Sequence, residues 1–253
     1  MSISLRKWFT RSQPSYKARR KDLQQSDFQN QVLVGEDYSH ANLSQANFIH
    51  ADLREVDFGK ANLSQADFTS ALLTQANLCA VSGVNVSFHK AILDDADLRE
   101  AILEKANFDQ ANMVNALFSR ANLSESSFVR ANLCKVNLNN ATLTKVDFRW
   151  CLLIDAQLRA ANLVGANFYK ADLTHADLCE SNLTRVKLSA ANLSGAKLIG
   201  ANLSGAHLDG ANLSKAVLSQ AIISLAQCTH VASLQGAIMP DGLVYNPKFH
   251  RLA

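Results

Sequence analysis

No apolar run in the sequence approaches the roughly 18 residues needed to cross a bilayer. Its start, M-S-I-S-L-R-K-W-F-T, lacks the apolar segment and small-residue cleavage site of a secretion signal. A cytoplasmic protein is expected. Cysteine is sparse and dispersed: Cys79, Cys134, Cys151, Cys179 and Cys228 are odd in number and form no C-x-x-C pair. That argues against a disulfide framework or a zinc site, and the thiols read as small hydrophobes or surface groups. No Gly-Lys-Ser/Thr is present to complete a phosphate loop, and no nucleophile, base and orienter can be assembled. Neither catalysis nor a metal or cofactor is expected. Charge of one sign is also scarce. The formal net charge is +3, yet residues 1–21 carry seven Lys or Arg and no acid, leaving 18 basic against 22 acidic side chains in the rest. The basic character belongs to the N-terminus.

Repetition is what the chain has in abundance. From Leu23 to Ile223 every fifth residue is large and apolar: 37 of 41 positions are Leu or Phe, and the exceptions are Tyr38, Gly83, Met113 and Ile223. Two residues earlier, between positions 41 and 221, 28 of 37 positions are Ala and the others Val, Ser or Cys. The unit is A-[N/D]-L-x-x, as in Ala41-Asn42-Leu43-Ser44-Gln45, and nothing breaks its register. A period of five is neither helical nor the continuous alternation of a flat strand. Apolar-polar-apolar makes a very short strand with one buried face, and the two polar residues after it suit a corner. Strands and corners in succession make a coil, and stacked coils make a solenoid.

The aromatics give the number of sides. Phe occupies positions 28, 48, 68, 88, 108, 128, 148 and 168, eight of the chain's twelve. Twenty residues per turn places these rings in one column, whereas fifteen would scatter them. Eight side chains then point into each turn, so four must be small to avoid overpacking. About ten coils, stacked at the strand spacing of ~4.8 Å, make a rod on the order of 48 Å long.

Over residues 21–225 these units resemble the pentapeptide-repeat protein family. The resemblance implies an all-β solenoid, a right-handed quadrilateral β-helix of about ten coils capped at both ends; periodicity alone does not supply the handedness. It divides the chain into a basic N-terminal cap or arm (1–20), the β-helix (21–225) and a C-terminal cap or tail (226–253). Lys21, Ser26, Gln31 and Glu36 stand in place of Ala, so the first coil is expected to be ragged. Residues 1–12, with Leu5, Trp8 and Phe9 among basic residues, read as a capping segment, a peripheral membrane foot or a disordered arm. The stretch L-Q-G-A-I-M-P-D-G in the tail looks like the one that follows the repeats in many bacterial members. In some relatives this end pairs two subunits, so a homodimer through a terminal cap is one expectation.

Several motifs are by-products of the repeat. Asn-Leu-Ser/Thr sequons recur because the unit contains them, and Gly195, Gly200, Gly205 and Gly210 read as corner residues. The Asn and Asp residues before each core residue are expected to hydrogen-bond neighbouring backbone at the corners. Gly83, within Val81-Ser82-Gly83-Val84-Asn85-Val86, should make the coil bulge or lose packing. Near it Leu72, Ile92 and Ile102 take normally polar positions, by local repacking or as an apolar docking spot.

Projection on the twenty-residue comb sorts the surface as well. Behind the Phe column, Arg130, Trp150 and Lys170 form one outward line, with Arg149 and Tyr169 in the line beside it. This is the composition of a binding hot spot or of a solvated face in which Arg or Lys covers Trp150. Two function classes follow. One is a non-enzymatic interaction or scaffold module, presenting rigid faces to an unidentified protein partner. The other comes from the resemblance: some members mimic a DNA duplex, bind DNA gyrase and protect it from quinolones. Near-neutral repeats and a basic-aromatic patch weigh against mimicry, and discontinuous basic residues weigh against direct nucleic-acid binding.

Overall fold

The computed structural model describes residues 21–247, and its repeats share one local form. In Ala61-Asn62-Leu63-Ser64-Gln65 the Asn62 N–H donates to the Ala41 carbonyl at 2.9 Å, one coil back. The Leu63 and Gln65 N–H groups donate to Ser82 and Val84 in the following coil, at 2.7 and 3.0 Å. The Ala66 N–H closes the corner on the Leu63 carbonyl at 2.9 Å. The remaining donor, the Ser64 N–H, is taken by Asn62 Oδ1 at 3.1 Å, and the Ser64 hydroxyl donates to the same oxygen at 2.8 Å. Five consecutive donors are all satisfied. The expected role of the Asn and Asp side chains is thus seen directly, and it recurs at Asp57, Asn77, Asn122 and Asn212, among others.

The corner is a four-residue turn with positive φ at its third residue, the form of a type II turn. Every fifth residue from Gln25 to Gln220 has this conformation, with φ between 53° and 69°. Few of them are glycine, and none is Val, Ile or Thr. The left-handed region costs an L-residue roughly 1–2 kcal/mol and is worst for β-branched side chains.

Parallel bridges join each outward residue to the one twenty positions on, from Asp22↔Asn42 to Asn202↔Ile222. One turn therefore takes twenty residues and has four sides. Face 1 begins at residues 21–25, face 2 at 26–30, face 3 at 31–35 and face 4 at 36–40, each recurring every twenty. Inside, the rings of the Phe28–Phe168 column stack with centroids 4.6–5.1 Å apart and planes within 25°. Each such pair adds about 0.5–1.5 kcal/mol beyond its buried area. Phe58 and Phe118, in the column of face 4, meet this stack edge-on. Where Ala is replaced by a polar residue, the backbone takes it up: Ser126 Oγ donates to the Leu103 carbonyl at 2.9 Å and accepts from the Ala106 N–H at 3.0 Å.

Three expectations change. The first described coil is not ragged: bridges from Asp22, Asp27, Val32 and Asp37 hold it in register, and Phe28 and Tyr38 are buried. At Gly83 the corner opens into a bend, yet packing is kept, because Val86 fills the missing volume. A Cβ on Gly83 would lie 2.7 Å from Val86 Cγ2. Residue 225 is where the period changes and not where the ladder stops. A 3-10 helix, Leu225–Cys228, takes up one extra residue, and the next bridges, Asn212↔Ser233 and Val217↔Ile238, span twenty-one positions. Leu234 and Met239 thus enter the core. A turn forms at Met239–Gly242, and an antiparallel bridge, Ile238↔Val244, folds the chain back along the last edge. The expectations for residues 1–12 lie outside the described residues.

The Tyr38 hydroxyl is buried and has no hydrogen-bond partner among the described residues, and burial pushes its pKa up. Tyr38→Phe is expected to stabilise the protein by about 1 kcal/mol, the penalty for an unsatisfied buried group; a lower denaturation midpoint would contradict this. At the corner His89-Lys90, where Lys90 already bears φ 58°, Lys90→Val should lose more than about 0.5 kcal/mol, the added penalty of a β-branched side chain there. His89→Val should change stability by less than about 0.5 kcal/mol. Equal losses in parallel denaturant titrations would show that the corner conformation is not what limits the choice of residue.

Candidate functional site

The backbone ladder fixes the outward residues of face 2. The Arg130 N–H donates to the Arg149 carbonyl at 3.0 Å, the Trp150 N–H to Tyr169 at 3.1 Å and the Lys170 N–H to Ser189 at 3.2 Å. Arg130, Trp150 and Lys170 are the left-handed corner residues, with φ of 60°, 57° and 57°. Arg149 and Tyr169 occupy the preceding corner position. The five residues named from the sequence are therefore neighbours on one surface.

Their side chains form a chain of contacts. Arg130 Cζ lies 5.6 Å and Arg149 Cζ 5.4 Å from the Trp150 ring centroid. The Tyr169 ring meets Trp150 edge-on at 5.9 Å and 80°. Lys170 lies over Tyr169, at 5.3 Å, and not over Trp150 as the column alone suggested. Arg149 forks onto Asp147, with Nε and Nη2 contacts of 2.9 and 2.8 Å, and this hydrogen bonding raises the guanidinium pKa further. Trp150 is 39% and Tyr169 36% exposed. Exposed aromatics clasped by cations are the composition of interface hot spots.

The site extends beyond the residues found in the sequence. An open depression of about 460 Å³ adjoins the patch, with Arg149, Tyr169, Ser189 and Asp209 on one side and Asn167, Lys187 and His207 on the other. Lys187 was missed although it carries a readable signal, a cation where the repeat normally has Asn or Asp. The secondary candidates separate. Leu72 and Ile92 are paired on face 3, whereas Gly83 and Ile102 belong to face 1, on the opposite side of the rod. They do not form one docking spot. Leu152 joins Leu72 and Ile92 in the outward line of face 3, 44% exposed.

Among the described residues no group of three or more His, Cys, Asp or Glu could hold a metal ion, and no helix is long and apolar enough to cross a membrane.

A family model described as pentapeptide repeats matches residues 91–124, 116–154, 151–189 and 187–224, and a second, described as a pentapeptide repeat region, matches 21–98. The chain belongs to the pentapeptide-repeat family. Its four-sided coil is accordingly the family's right-handed β-helix. Among solved structures it is similar to HetL, a pentapeptide repeat protein involved in heterocyst differentiation regulation from the cyanobacterium Nostoc sp. strain PCC 7120. The two share 30% identity over 89% of this chain and 94% of HetL, with a TM-score of 0.56. A pentapeptide repeat protein of the Arabidopsis thaliana thylakoid lumen is 31% identical over 36% of this chain and 63% of its own, with a TM-score of 0.35. QnrB1, a plasmid-mediated fluoroquinolone resistance protein, is 19% identical over 90% of this chain and 97% of its own, with a TM-score of 0.41. No curated protein matches the chain.

Trp150 sits at a strained corner and leaves the core untouched, so it contributes little to folding. Trp150→Gly is expected to leave stability within about 0.5 kcal/mol of the parent or to raise it, since glycine accepts positive φ freely. A loss above about 2 kcal/mol in denaturant unfolding would make the aromatic cluster a structural clasp instead.

Proposed function

We propose that this protein is a non-enzymatic interaction or scaffold module. Its binding face comprises Arg130, Arg149, Trp150, Tyr169 and Lys170, and the partner is a protein. One observation carries the reading: two large aromatic rings stand exposed on a rigid surface, oriented by three cations and outside the core. Such groups are the ones that dominate binding energy when a partner covers them. The involvement of HetL in heterocyst differentiation regulation is in keeping with a regulatory rather than a metabolic task. DNA mimicry has less support, because residues 22–253 carry 18 basic against 22 acidic side chains and this face is locally basic.

The rod consists of about ten coils in this reading, closed by terminal segments, with residues 1–20 as an arm or cap and 226–253 as a tail or cap. A cytoplasmic location and a homodimer through one end belong to the same reading. Exposed Ile222, Leu225, Leu243 and Val244 at the C-terminal end favour pairing there.

The test is affinity capture from native lysate with the parent protein and an Arg149→Ala, Trp150→Ala, Tyr169→Ala variant whose circular dichroism is unchanged. A partner held by the parent and lost by the variant is the expected result. Identical captured sets would remove the patch from consideration, and recovery of gyrase on the parent alone would favour the mimic.

A further inference from the structure

The positive charges of this face are spaced along the rod. Arg130, Arg149, Lys170 and Lys187 supply one cation in each of four successive coils. Elsewhere Arg54, Arg99, Lys105, Arg120, Lys145 and Arg159 are paired with carboxylates, while Lys60, Lys90, Lys135, Arg185, Lys197 and Lys215 form no ion pair among the described residues but are scattered over the faces. Of the four cations here only Arg149 has such a partner, Asp147; no carboxylate lies within ion-pair distance of the other three among the described residues. Asp109 and Asp209 stand on the same face one coil beyond each end of the row. The strip is therefore a basic segment of limited length bounded by acid at both ends.

The geometry points to an acidic α-helix, lying along the rod axis, as the occupant of this strip; this inference rests on the docking reading above. Coils repeat at ~4.8 Å, so the four cations, which stand at different positions across the face, rise about 14 Å along the rod axis. Carboxylates at i, i+3, i+7 and i+10 of a helix span ten residues, or about 15 Å, with steps of roughly 4.5–6 Å. An extended segment places same-side residues about 6.6 Å apart and falls out of step after two. The bounding aspartates repel a longer acidic run. Aromatic rings in a basic groove also suit single-stranded nucleic acid, whose bases stack on open ring faces. Here Arg130 and Arg149 lie over Trp150 and Lys170 over Tyr169, so the rings serve to hold the cations in place, which favours carboxylates.

The experiment titrates two alanine-rich helical peptides of identical composition into the full-length protein at about 20 mM salt, where exposed charge pairs are least screened. One carries glutamates at i, i+3, i+7 and i+10. The other carries them at i, i+2, i+7 and i+9, on opposite sides of the helix. The readout is the Trp150 indole N–H resonance, assigned by comparison with Trp150→Phe. Binding of the first peptide should be at least about tenfold tighter than that of its isomer. It should fall by a similar factor in an Arg130→Gln, Lys170→Gln, Lys187→Gln variant that keeps both aromatic residues. Equal binding of the two peptides would overturn the helical register, and failure of both, or binding only of an oligothymidine probe, would overturn the inference. If the lysate partner still depends on Trp150 while neither peptide binds, the docking face stands and only the acidic helix falls. Loss of both results would retire the face itself.

Discussion

Five consecutive backbone N–H groups have to find acceptors within a five-residue unit, and the rest of the structure depends on how they do. Three reach adjacent coils and one closes the corner. The last is most often taken by the Asn or Asp side chain two residues before it, as at Asn62 and Ser64, and at Val114, Val129 and Arg159 by an Asp or Asn side chain one coil back. Helices and flat sheets satisfy their donors by repetition of one bond; this coil finishes most of its corners with a side chain. A buried or strained N–H left without a partner costs about as much as a lost hydrogen bond, and that cost recurs at every corner. The polar residue of the repeat is therefore as much a part of the backbone ladder as the leucine is of the core.

The same closure sets what the surface can offer. Each corner holds its third residue at positive φ, so side chains leave the rod at fixed heights and in fixed lines. Most corner residues are glycine, alanine or flexible polar types. Trp150 is the exception on face 2, and it stands where a ring gains nothing from the interior. The neighbouring cations restrain it, and together they form a surface with little conformational entropy left to lose on binding. Face 3 departs differently. Leu72, Ile92 and Leu152 replace the Asn or Asp that would take up the corner N–H, exchanging a hydrogen bond for exposed apolar area.

Much of this was legible because the repeat is strict. The Phe comb gave the number of sides, and the stacked rings from Phe28 to Phe168 follow from it. The line Arg130, Trp150, Lys170 came from the same comb, as did its neighbours Arg149 and Tyr169. Other features were out of reach. Gly83 looked like a packing defect because the comb treats each position alone, whereas Val86, three residues on, leans into the space. The one-residue shift at Leu225–Cys228 falls where the pattern fades, so nothing signalled that Leu234 and Met239 resume the core columns. Ile102 was grouped with Leu72 and Ile92 by closeness in the chain, although half a turn carries it to the opposite face.

The sequence by itself determined the period, the number of sides, the composition of the core and the columns in which outward residues stand. It could do so because a register unbroken from Leu23 to Ile223 turns position in the chain into position in space. Only the tertiary structure decided which side chains touch. Lys170 covers Tyr169 and Arg149 covers Trp150, and Lys187 borders the depression beside them. The first two contacts join chain neighbours, and Arg130–Trp150 and Trp150–Tyr169 join residues about twenty positions apart; their outcome depends on side-chain direction and on the shape of the corner between coils, neither of which the period specifies.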